Sequence, residues 1–173
     1  MNEDGPQEVG GAEGSGDALP SLGAELEMAV IDGAGASALV DDRYFLALQQ
    51  LRGGSAQART ETMDGRIVAL VSAMGVNGID NGFNLLETAH AVIPAGADGL
   101  DQLDARMRSD LGRVLEALDA QDLHLTSLAQ HPTAGTGPEQ YARAVAPKSV
   151  YDYLRRIRGS EVRQFAGGFG PPV

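Results

Sequence analysis

Glu25, Glu27, Glu87 and His131 are the residues whose types and spacing best suit chemistry. The first two lie in residues 22–32, LGAELEMAVID, which reads as a β-strand. Side chains alternate along a strand, so Glu25 and Glu27 share one face, while Leu26, Met28 and Val30 point to a core. Two adjacent carboxylates repel each other and are costly to dehydrate. A cation between them removes both problems, and oxygen ligands suit Mg²⁺, especially where phosphates complete its shell. The competing reading is the solvated outer face of an amphipathic strand. Glu87 is a third carboxylate, inside DNGFNLLETAHAVI at residues 80–93. On a strand over residues 83–89 it shares a face with Phe83, Leu85 and Ala89. There the competing reading is an ion pair with an arginine. His131 closes a strand over residues 123–130 and is stiffened by Pro132, a good position for a ligand or phosphate contact. Most histidines so placed are structural or exposed.

The elements that must hold these groups are legible in the spacing of apolar residues. After the first strand, Asp32-Gly33 signals a turn. Tyr44, Phe45, Leu48 and Leu51 recur at helical spacing, with Asp41 or Asp42 as N-cap and Gly53-Gly54 as the stop. Residues 55–64 are polar, Asp64-Gly65 is a turn, and residues 66–73, RIVALVSA, form a second strand. Residues 74–81 are rich in Gly and Asn and read as a loop. Residues 94–98 are a linker. Residues 99–121 form the clearest helix, with Leu100, Leu103, Met107, Leu111, Val114, Leu115 and Leu118 as its apolar stripe and acid near its start. It reads as a packing element without chemistry. His124 falls on the face opposite Leu123, Leu125 and Ser127 of the strand that follows and reads as a solvent-side or satisfied histidine. A short helix over residues 149–157 carries Arg155 and Arg156, which could grip a carboxylate or phosphate, although a solvated face is the commoner role. TAGTGP at residues 133–138 lacks the Lys-Ser/Thr of a P-loop. No internal repeat is visible. The order of elements predicts an α+β fold with a mostly antiparallel sheet packed by helices.

The totals narrow the function. The chain has 173 residues, the size of one ordinary domain. Its net charge of −11 argues against nucleic acid or an anionic membrane as the main partner. There is no cysteine, which excludes disulfides, thiolate metal sites and a cysteine nucleophile. The absence of a membrane-length apolar run or a signal-peptide pattern makes the cytoplasm the default location. Residues 1–20, rich in Gly and acid, read as a disordered leader. Residues 21–159 read as the catalytic-type domain and 160–173 as an irregular tail.

Taken together, E-L-E in a first strand, DNGFNLLETA around Glu87, a long helix, a strand ending in His-Pro and APKSVYDYLRRIRG resemble the glutamate–cysteine ligase family. The likeness is to its bacterial carboxylate–amine ligase branch and spans roughly residues 22–159. The resemblance implies a glutamine synthetase-like antiparallel sheet curved around the active site. It implies ATP- and Mg²⁺-dependent amide formation, as in glutathione biosynthesis: ATP phosphorylates a γ-carboxylate, and an amine, typically that of cysteine, attacks the acyl phosphate. By position, Glu25, Glu27 and Glu87 match metal ligands and His131 a metal or phosphate contact. Asn84, Arg155 and Arg156 are the candidates for binding substrate or phosphate. The implied partners are glutamate with cysteine or another amine. Family members are roughly twice as long, so the resemblance implies a truncated chain whose site an oligomer or a partner chain completes. The alternative is a non-catalytic metal- or nucleotide-binding or interaction module descended from that enzyme. A third reading is an acidic α+β domain without a metal site.

Overall fold

The computed structural model describes residues 20–127, 143–146, 153 and 156. Residues 1–19 of the expected leader, the end of the last strand beyond Ser127, His131, most of the expected helix over residues 149–157 and the tail lie outside them. The described residues form an α+β structure with one six-stranded sheet in the order β3-β4-β5-β6-β2-β8. These strands are β2 (Glu25–Asp32), β3 (Ala58–Met63), β4 (Arg66–Ser72), β5 (Gly75–Ile79), β6 (Leu85–His90) and β8 (Leu123–Thr126). Every neighbouring pair is antiparallel. A separate two-stranded sheet joins β1 (Ser21–Leu22) to β7 (Ile93–Pro94). Two helices, α1 (Asp42–Leu51) and α2 (Gly99–Asp119), pack against each other and against the large sheet.

Local chemistry explains the turns. The Asp32 side chain accepts hydrogen bonds from the backbone N–H groups of Ala34 and Ala36, at 2.9 and 2.8 Å. Asp64 and Gly65 have φ of +50° and +75°, the two positive values that a tight hairpin between β3 and β4 requires. Asp41 caps α1 by accepting from the Arg43 N–H at 2.9 Å. Gly53 and Gly54, both at positive φ, end that helix. Between the helices and the sheet lies the core: Val30, Tyr44, Phe45, Leu48, Leu70, Ile79, Leu86 and Leu118 are buried there with Phe83. Burying a Leu or Phe of this kind contributes about 1.5–3 kcal/mol. Phe83 is covered by the Arg66 guanidinium, 3.3 Å from its ring centroid.

Three expectations are corrected. The first strand is broken at Gly23-Ala24, so β1 leaves the large sheet and pairs with β7. Residues 74–81, expected as a loop, contain β5, and the polar stretch 55–64 contains the edge strand β3. The buried stripe of α2 is rotated from the expected one. Leu100 and Leu115 are exposed, whereas Asp110 is buried with Leu103, Val114, Ala117 and Leu118.

Candidate functional site

The sheet register brings the strand carboxylates onto one face. β2 pairs with β6 so that Glu27 lies directly opposite Glu87, and Glu25 lies opposite Ala89, two residues along. Cross-strand partners point to the same side, with Cβ atoms about 4.5–5.5 Å apart. The row through this pair runs Glu61, Ala69, Gly78, Glu87, Glu27 across β3, β4, β5, β6 and β2. Acid therefore stands at both ends of a floor made from the two smallest side chains. A Cβ added at Gly78 would sit 3.3 Å from the Val68 carbonyl oxygen, so the floor is tight. A cleft of about 240 Å³ opens over it, with Glu61 and Glu87 on its walls. Glu25 and Glu27 are exposed, and Glu87 is half-buried.

The remaining candidates divide. Asn84 lies in the turn before β6, where its side-chain N–H donates to the Ser37 hydroxyl at 3.2 Å. The Asn84 backbone carbonyl oxygen accepts from the Val30 N–H at 2.9 Å. Asn84 thus ties a loop to β2. Arg156 is exposed. His131 and Arg155 lie outside the described residues. His124 is partly exposed, with its ring nitrogens 3.7 Å from Asp119 and 3.8 Å from Asp122, which agrees with a solvent-side role. Among the described residues no group of three or more His, Cys, Asp or Glu side chains is arranged to hold a metal ion.

Behind the carboxylate row lies a polar cluster that the sequence reading missed. Arg52, at the end of α1, forms an ion pair with Asp110 of α2; their side chains are only 3% and 1% exposed. Arg52 also donates to the Ser72 hydroxyl at 2.8 Å. Asn77 of β5 donates to Asp110 at 3.2 Å and to Thr88 of β6 at 2.8 Å. His90, at the end of β6, is buried with its Nδ1 4.0 Å from Asp110. The cluster joins both helices to β4, β5 and β6, and Thr88 is the neighbour of Glu87 in the chain. One signal was available: Asp110 falls seven residues after Leu103, on the buried stripe of α2.

Tyr44, buried beside this cluster, has its phenol pushed well above the usual range by burial. Asp41 is held below the usual carboxylate range, chiefly by its hydrogen bond from the Arg43 side chain. No family model, no curated protein and no solved structure matches this chain.

Proposed function

We propose that the carboxylate face of the sheet binds Mg²⁺ and the phosphates of ATP, and that the chain is an ATP-dependent carboxylate–amine ligase of the glutamate–cysteine ligase type. The observation that carries this reading is the direct opposition of Glu27 and Glu87 on adjacent antiparallel strands, with Glu25 next along the same face. The donor set suits the ion. Mg²⁺ is commonly held by one or two carboxylates, with phosphate oxygens and water filling the other positions.

When bound, Mg²⁺ would neutralise phosphate charge and hold ATP in register with the acid substrate. The chain's own residues then bind and orient. Glu27 and Glu87 supply oxygen ligands, Glu25 extends the anionic face, and the rigid sheet fixes their spacing. The γ-phosphoryl group passes to the substrate carboxylate, and an amine displaces phosphate from the acyl phosphate. This chemistry needs positioning and charge stabilisation and no nucleophilic side chain. Glutamate and cysteine are the substrates that the sequence resemblance suggests.

A second reading is binding of the metal–nucleotide complex without turnover. It is favoured by the lack, among the described residues, of a third metal-binding side chain grouped with the opposed pair. A coupled assay of ADP release with glutamate, cysteine, ATP and Mg²⁺ decides between them. The ligase reading expects release by the wild type and its loss in Glu27→Gln. Equal release by both proteins rejects that reading. Binding of ATP and Mg²⁺ with no ADP from either supports the second.

A further inference from the structure

We propose that β3 is a self-complementary edge on which a second copy of this chain docks by antiparallel strand pairing. The inference is independent of the ligase reading. Among the described residues, β3 lies at one end of the six-stranded sheet and pairs with β4 alone. Apart from that pairing, residues 59–63 make no backbone hydrogen bond among the described residues. The Gln49 side chain of α1 occupies the Ala58 carbonyl at 2.9 Å, which leaves the following residues as the open part of the edge. An uncovered row of N–H and C=O groups is a template for another strand.

The sequence of the edge says which strand fits. Arg59 and Glu61 lie on the same face, both exposed, and form an ion pair at 3.0 Å within the strand. Natural edges commonly carry charged side chains that discourage a second strand. This one carries both signs, two residues apart. A two-fold axis through Thr60 sets Arg59 of each copy opposite Glu61 of the other, and the arrangement occurs twice by symmetry. The β-bulge between Glu61 and Thr62 lies beyond the central pairs. Pairing in this register continues the sheet into the second copy with both carboxylate faces on one side. It also brings Arg59 of the second copy beside Glu61, at the wall of the cleft. A second copy of the chain supplies the complementary charge order by symmetry, which makes it the occupant the edge selects.

The test is sedimentation over a range of concentrations at physiological salt, since the net charge of −11 opposes association at low ionic strength. The wild type is expected to form a concentration-dependent dimer. Arg59→Glu and Glu61→Arg each set like charges opposite one another and are expected to weaken dimerisation by roughly tenfold or more. An equimolar mixture of the two variants restores opposite charges and is expected to associate as a heterodimer. Circular dichroism checks that each variant is folded. Should either fail to fold, hydrogen exchange of the wild type replaces the mixture: residues 59–62 must become more protected as concentration rises. A wild type that stays monomeric overturns the proposal. So does a dimer indifferent to both variants, or exchange at residues 59–62 that ignores concentration.

Discussion

Removing Asp110 should damage this fold more than any surface change, and the size of the loss follows from what it leaves behind. Asp110 is 1% exposed and faces the Arg52 guanidinium, whose side chain is 3% exposed. In Asp110→Ala the guanidinium stays buried with Ser72 as its remaining side-chain partner, and Asn77 keeps only Thr88. Leaving one member of a buried ion pair uncompensated costs about 3–5 kcal/mol. A domain of this size has about 5–15 kcal/mol in total, so the variant should lose about a fifth or more of its stability. The paired change Arg52→Met with Asp110→Leu removes both charges and restores apolar volume. It should cost less than Asp110→Ala alone, about 1–3 kcal/mol for the hydrogen bonds lost by Ser72 and Asn77. Urea unfolding followed by circular dichroism gives both values, and with Arg52→Met and Asp110→Leu measured singly it gives the coupling between the sites. A loss below about 1 kcal/mol for Asp110→Ala, or a double variant as damaged as the sum of the two single changes, would refute the reasoning.

Two further outcomes are expected. Asp41→Ala removes the cap of α1 and should cost about 1 kcal/mol near neutral pH. Because Arg43 lowers the Asp41 pKa below its ordinary 3.8, the ionised group stabilises the fold above that value. That contribution is lost as pH falls through the lowered folded pKa, so wild type and Asp41→Asn should converge in acid unfolding measurements. Gly75→Ala should lose at least about 2–3 kcal/mol in urea unfolding, because the position has φ +131° and an added Cβ would lie 2.1 Å from the Ala89 carbonyl oxygen.

Much of this fold is legible in the chain because the apolar spacing is strong where both sides of an element meet the core. Arg66–Ser72 declares itself by a run of branched residues, and α1 by Tyr44, Phe45 and Leu48. β3 does not, since an edge strand of sequence ARTETM buries only Ala58 and looks like a polar loop. β5 hides for the opposite reason. Beside the core residue Ile79, its central inward residue is Asn77, whose burial depends on Thr88 and Asp110 from elsewhere in the chain, and its glycines permit close strand approach. The shared face of Glu25 and Glu27 follows from alternation alone. The opposition of Glu27 to Glu87 depends on strand order and register, which only the paired sheet fixes. The Arg52–Asp110 pair was hidden because an acidic residue within an amphipathic helix ordinarily faces water.

The most direct measurement is thermal unfolding with and without Mg²⁺ and ATP, on the wild type and on Glu27→Gln. A ligand at a hundred times its Kd stabilises the folded state by about 2.7 kcal/mol. The wild type should therefore melt several degrees higher with Mg²⁺ and ATP than without. Glu27→Gln should lose that rise. No shift in the wild type, or the same shift in both proteins, would contradict a cation site between Glu27 and Glu87.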